Sequence, residues 1–231
     1  MNMNNGRSTQ ANLNVNPLWK TPVWEVQSEF DDDFNESLLE EIYLIGKNIA
    51  TGKDLSPHDS LWSYDKPHLN ILKKFIVDSV IESTQRDIPE ANELNMTVDS
   101  FMCWTNVREP GEALEIHAHT DSAIAATYFI QTKENCGDLV LFDTSNSIDW
   151  QNGQLSDTPE LKIKRIKPVE GKLVFFPSYV LHTVEKNKSN DLRITLTCDL
   201  KKVIDKSVLN SITLKSWANK MVKVKEWNFA N

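Results

Sequence analysis

His117, His119 and Asp121 fall at every second position of one short run, and in a strand that spacing turns all three side chains to the same side. About sixty residues later comes His182, at the end of Phe175-Phe176-Pro177-Ser178-Tyr179-Val180-Leu181, and Arg193-Ile194-Thr195-Leu196-Thr197 follows it. Two neutral imidazoles and one anion on a single octahedral face suit a redox-active, non-haem ferrous ion and leave three adjacent positions open for small ligands. His119, Asp121 and His182 can supply that face. Alternation along the last run places Arg193, Thr195, Thr197 and Asp199 on one side and Ile194, Leu196, Cys198 and Leu200 on the other, so a guanidinium would point into a polar interior, where it needs an anion.

Such a cluster needs a rigid frame, and the chain supplies one. From Leu94 onward β-rich runs recur at 96–106, 113–119, 124–130, 138–142, 161–166, 172–176, 180–184 and 192–200. Turns at Pro110-Gly111, Asn152-Gly153 and Glu170-Gly171 separate several of them. About eight short, regularly spaced strands predict a jelly roll, that is, a double-stranded β-helix. Upstream, Leu38, Ile42, Ile45 and Ile49 repeat at helical spacing behind an acidic Asp31-Asp32-Asp33 cluster, and Leu69, Leu72, Ile76 and Val80 mark a second helix that Asp65 can cap, with Pro67 in its first turn. The fold class is therefore α+β, mainly β, with helices of the N-terminal third buttressing one face of the sheet. The run Pro17 to Phe30, interrupted by Pro22, reads as an edge strand. The polar connection 144–159 is long enough to serve as a lid.

Length and composition set outer bounds. The 231 residues suit one domain at 17–231, comprising helical support at 31–88, a jelly-roll core at 94–200 and a C-terminal extension at 201–231, behind an Asn-rich, disordered lead-in at 1–16. No apolar run approaches a membrane span, and the net charge of −8 disfavours nucleic acid and anionic lipid as partners. Cys103, Cys136 and Cys198 are widely spaced and odd in number, which argues against a disulfide framework or thiolate zinc site and fits a reducing cytoplasm. His58 and His68, in the helical region, are read as structural. The lysine-rich run at 162–167 is read as a solvated strand face, and Trp217 and Trp227 as packing residues of a tail compatible with a homodimer.

The pattern His-x-Asp, a long gap, His, and a basic residue about ten positions on resembles that of the iron(II)- and 2-oxoglutarate-dependent dioxygenases, with Arg193 eleven positions after His182. Thr127-Tyr128-Phe129-Ile130 and Gly137-Asp138-Leu139-Val140-Leu141-Phe142 are similar to strands of prolyl-hydroxylase-like members. Trp104-Thr105-Asn106, His117 to Ser122, Tyr128 and Phe176-Pro177-Ser178 resemble a subfamily of 2OG-Fe(II) oxygenases found in marine bacteria and phages; the similarity covers about residues 94–200. Thr120 stands where that subfamily usually has Pro, and the subfamily does not insist on Asp at position 121. Two ligand sets follow: His119, Asp121 and His182, or His117, His119 and His182 with Asp121 orienting an imidazole.

The resemblance implies Fe(II), 2-oxoglutarate and dioxygen, with an unidentified substrate, weakly peptidyl, hydroxylated as succinate and carbon dioxide are released. It implies that Arg193 takes the distal carboxylate of 2-oxoglutarate, that Tyr128 and Thr195 add hydroxyl donors, and that Asn106 approaches the co-substrate or substrate. Each has a plainer alternative: an ion pair from Arg193 to Asp199 or Glu185, core packing for Tyr128, and a strand-end hydrogen bond for Asn106. Two other functions share the fold: a cupin-like metal-binding or structural β-sandwich without catalysis, and a three-histidine cupin dioxygenase that uses no co-substrate.

Overall fold

The computed structural model describes residues 21–45, 60–87, 96–119, 122–143 and 162–204. Nine strands and two α-helices lie among them: β1 (Trp24–Gln27), α1 (Phe34–Leu44), α2 (Pro67–Asp87), β2 (Met96–Arg108), β3 (Leu114–His117), β4 (Ile124–Gln131), β5 (Leu139–Asp143), β6 (Lys162–Ile166), β7 (Lys172–Pro177), β8 (His182–Val184) and β9 (Arg193–Ile204), with a single 3-10 turn at Leu61–Ser63. A five-stranded sheet, in the order β1-β7-β4-β9-β2, faces a four-stranded sheet in the order β3-β8-β5-β6. All pairings are antiparallel, so this is the expected double-stranded β-helix. The Trp24–Gln27 strand pairs with β7 alone and forms the edge, and Pro22 lies just before it, where its missing N–H costs no ladder bond.

Alternation along the larger sheet builds two cores. Ala126, Tyr128 and Ile130 of β4, Leu173 and Phe175 of β7, and Ile194, Leu196, Cys198 and Leu200 of β9 face outward and pack under Phe34, Leu38 and Ile42 of α1 and Leu69, Leu72, Ile76 and Val80 of α2. The alternate residues Ala125, Phe129, Val174 and Phe176 face inward and pack with Leu139, Leu141, Ile166, Val180 and Val184, most of them from the smaller sheet. The helices thus stiffen β4, β7 and β9 from behind while the space between the sheets is left for the site. At the β4–β5 turn, Gly137 has φ 97°, and a Cβ there would meet the Glu185 carbonyl oxygen at 2.2 Å; only glycine lets the turn lie against the chain beyond β8.

One local expectation needs correction. Asp65 does not cap α2 with a described bond to its backbone; its carboxylate accepts from the Asn70 side chain at 2.5 Å. Glu41 of α1 does the capping, accepting from the backbone N–H of His68 at 3.1 Å and of Leu69 at 3.0 Å, with the His68 ring at 2.8 Å. Local spacing favours Asp65, but the pairing of α1 with α2 presents a carboxylate to the positive end of the α2 dipole. Burial works to raise the Glu41 pKa, yet the bonds from His68 and Leu69 outweigh it and hold the group below its usual value. Glu41→Ala is expected to cost about 1–2 kcal/mol, read by urea unfolding at neutral pH, and Asp65→Ala much less. Because the folded pKa is depressed, this contribution is present above the unfolded carboxylate pKa and fades as pH falls through the folded one.

The proposed lid at 144–159, the lead-in at 1–16, His58 and the tail beyond Ile204 with Trp217 and Trp227 lie outside the described residues. No described helix is long and apolar enough to cross a membrane. Cys103, Cys136 and Cys198 are all free thiols. Of the basic run, Lys164 and Arg165 are exposed and reach Glu25 at 3.7 Å and Glu185 at 3.0 Å, as a solvated strand face would.

Candidate metal centre and anion pocket

The last residue of β3 and the first of β8 are cross-strand partners, and they are His117 and His182. Their rings lie 4.2 Å apart between centroids. His119, two residues past the end of β3, is held by a bond from its backbone N–H to the Ser178 carbonyl at 2.9 Å. The Ser178 hydroxyl in turn donates to the Ser122 carbonyl, so the Phe-Pro-Ser stretch buckles the segment carrying His119 to the one leading into His182. The His119 ring sits 5.1 Å from that of His182 and 5.3 Å from that of His117. Ligand atoms of all three imidazoles lie within 4.8 Å of one another.

Each ring is oriented through Nδ1. His117 Nδ1 lies 2.8 Å from the Glu115 carbonyl, His182 Nδ1 lies 2.9 Å from the Val180 carbonyl, and His119 Nδ1 lies 2.6 Å from Oδ1 of Asp199. Acceptors on all three Nδ1 atoms select the tautomer with the proton there and leave each Nε2 lone pair to a metal. Burial pushes the His182 pKa down to about 3 against the opposing effect of the Val180 carbonyl, and burial likewise lowers that of His117. Both rings are therefore neutral at physiological pH, the form a metal requires.

Asp199 was read from the sequence only as a candidate ion-pair partner of Arg193. It lies instead behind His119, where Ser122 Oγ also donates to it at 3.3 Å. The strand alternation put it on the correct face, but nothing local says which histidine that face meets. Asp199→Ala is expected to weaken binding of a divalent metal by about 10–100-fold while leaving the fold intact, measurable by competition with a chelating dye. Asp121 lies outside the described residues.

The cavity between the sheets has a volume of about 610 Å³, and His117, His119 and His182 share its wall with Trp104, Asn106, Arg108, Thr195 and Arg193. The Trp104 ring stacks near His119 at 5.9 Å. Its indole N–H donates to Asn106 Oδ1 at 3.3 Å, and Asn106 Nδ2 donates to Thr197 Oγ1 at 2.8 Å. The Trp-x-Asn pair is thus a braced wall element that fixes the Asn106 amide. Thr195, the cross-strand partner of Asn106, is buried on the same wall.

Arg193 is 1% exposed, and its Nε and Nη2 have no hydrogen-bond partner among the described residues. The guanidinium lies over the Phe129 ring at 5.2 Å. Neither carboxylate considered as its partner takes it, since Asp199 serves His119 and Glu185 pairs with Arg165. Burial, and to a smaller degree the charge of Arg108, pushes its pKa down to about 10, which still leaves it charged at neutral pH. A buried, unpaired cation is costly, and a bound anion in the cavity would relieve that cost.

Tyr128 does not join this group. It faces the helices, where its hydroxyl donates to Asn35 Oδ1 at 2.9 Å and its ring packs with Phe30 and Phe75. Thr127 lines the cavity in its place. The expectation of a Tyr128 donor is corrected by the sheet's own period, since Tyr128 and Thr127 lie on opposite faces of β4.

Residues 102–199 match the family model described as "Putative 2OG-Fe(II) oxygenase". Among solved structures, a prolyl hydroxylase from Trichoplax adhaerens, in complex with a peptide fragment of hypoxia inducible factor, is similar at 15% identity and TM-score 0.50, over 83% of this chain and 87% of that one. The epimerase SnoN, in complex with Fe3+ and alpha ketoglutarate, is similar at 11% identity and TM-score 0.51, over 78% of each chain. The chain spans 60% of the length of a 2OG-Fe(II) oxygenase family oxidoreductase from Burkholderia pseudomallei, at 11% identity and TM-score 0.42. No curated protein matches the chain. The matched segment contains His117, His119, His182, Asp199 and Arg193.

Proposed function

We propose that the chain is an iron(II)- and 2-oxoglutarate-dependent dioxygenase that hydroxylates its substrate, with His117, His119 and His182 as the metal ligands and Arg193 as the anchor of the co-substrate's distal carboxylate. The observation that carries this reading is the unpartnered Arg193 guanidinium in the cavity whose wall holds the three imidazoles. The donor set fits a ferrous ion, since it consists of three imidazoles whose Nδ1 atoms face acceptors and whose Nε2 atoms are left for a metal. When bound, iron would supply the activation of dioxygen and the oxidative decarboxylation that yields succinate and carbon dioxide. The chain's own residues position the reactants: Asp199, Glu115 and Val180 fix the rings, Arg193 and Thr195 offer donors to the far carboxylate, and Asn106 is held at the wall by Trp104 and Thr197. Phe176 and the cavity's apolar walls limit water beside His182. A peptidyl side chain is the substrate class to test first, on the sequence resemblance to prolyl-hydroxylase-like enzymes. The three free thiols fit a cytoplasmic setting.

Incubation of the purified protein with iron(II), ascorbate, 2-oxoglutarate and air should give succinate and carbon dioxide in equal amounts, even without substrate, at a slow uncoupled rate. Absence of succinate under these conditions counts against the reading. The three-histidine set also favours a second one, a cupin dioxygenase with no co-substrate; oxygen consumption indifferent to 2-oxoglutarate and to Arg193→Ala would select it.

A further inference from the structure

Arg108 ends β2 and is the cross-strand partner of Arg193 on β9. It is 8% exposed, lines the same cavity, and its Nε also lacks a hydrogen-bond partner among the described residues. Its Nη1 donates to its neighbour's carbonyl, that of Val107, at 2.9 Å. Like charges on directly opposed residues destabilise a sheet, and here both are withdrawn from water. The acid among the cavity's described lining residues, Glu115, is exposed. The cavity therefore has, at one end, two guanidiniums with donors to spare, and the charge of Asp138 acts on Arg193 without hydrogen-bonding its Nε or Nη2.

The register fixes where that end lies. Along the paired strands the couples on this face run Met102 with Asp199, Trp104 with Thr197, Asn106 with Thr195, and Arg108 with Arg193. Asp199 and Trp104 flank His119, so the first two couples mark the metal end, and the two arginines lie together at the other. A ligand stretching from the imidazoles to Arg193 ends level with Arg108 as well. A carboxylate has two oxygens and about four lone-pair directions, enough to accept from two guanidiniums at once.

Resting on the co-substrate reading above, we propose that Arg108 is a second arm of the anion pocket, sharing the distal carboxylate of 2-oxoglutarate with Arg193. The pair sets co-substrate selectivity: an acid with the same 2-oxo end but an uncharged tail leaves two buried cations uncompensated and is rejected twice over.

The test is calorimetric titration of the manganese(II)-loaded full-length protein with 2-oxoglutarate and with 2-oxovalerate, which carries a methyl group in place of the distal carboxylate. Arg108→Gln is expected to lower the preference for 2-oxoglutarate over 2-oxovalerate by about ten-fold or more, with Arg108→Lys retaining part of it. Arg193→Gln should lower it further. An unchanged preference in Arg108→Gln overturns the proposal, and so does an equal loss of both acids in the Gln and Lys variants, which marks a packing role. If the native protein binds no 2-oxoglutarate, the co-substrate reading fails and this one with it; if native binding is present and only Arg193→Gln disturbs the preference, the second arm alone is refuted.

Discussion

Arg193→Met is expected to weaken 2-oxoglutarate binding by roughly 100-fold, because truncating one partner of a buried, hydrogen-bonded charge pair costs on the order of 2–5 kcal/mol. The same substitution should raise the stability of the ligand-free protein by about 1–3 kcal/mol, since it removes a buried cation whose Nε and Nη2 no described residue accepts and keeps a side chain able to cover Phe129. The two effects have opposite signs, which separates an anchoring role from a structural one. Calorimetry reads the first and thermal unfolding without 2-oxoglutarate reads the second. A variant that loses stability and binding together would mean that Arg193 is held by the protein itself, and the anion-pocket interpretation would fail.

His182→Ala carries the other large effect. His182 is the most buried of the three imidazoles, and its ring lies within 5.1 Å of both partners between centroids. Deleting it removes one of the three proposed ligands and opens a void beside Phe176, so divalent-metal affinity should drop by more than about 100-fold, beyond the range typical for loss of an outer partner such as Asp199. Uncoupled succinate formation should vanish with it. Unfolding in the presence of a chelator distinguishes ligand loss from collapse: the metal-dependent gain in stability should disappear, while the metal-free protein stays folded. A persistent metal-induced gain would show that the ion sits elsewhere.

The sequence patterns that proved informative were those with a fixed period. Alternation in 192–200 assigned Arg193, Thr195, Thr197 and Asp199 to one face, and the structure places the first three on the cavity wall and Asp199 against His119. The strand spacing likewise led to the two-sheet architecture. What alternation omits is the partner across the sheet. Nothing near Arg108 in the chain marks it as a neighbour of Arg193, because that pairing depends on the β2–β9 register. Asp199 as the brace of His119 and Glu41 as the cap of α2 were hidden for the same reason, each being a contact between elements distant in sequence. Tyr128 misled because resemblance supplied its role; its neighbour Thr127 has the inward position.

The claim that three imidazoles and Arg193 converge on one ligand is tested most directly by the coupling between metal and 2-oxoglutarate. If the co-substrate bridges both, bound manganese(II) should tighten 2-oxoglutarate, and 2-oxoglutarate should tighten manganese(II) by the same factor, as linkage requires. Titrations in both directions on the native protein should return one shared factor, lost in Arg193→Met. Equal 2-oxoglutarate affinity with and without the metal would place the two sites apart and contradict the account.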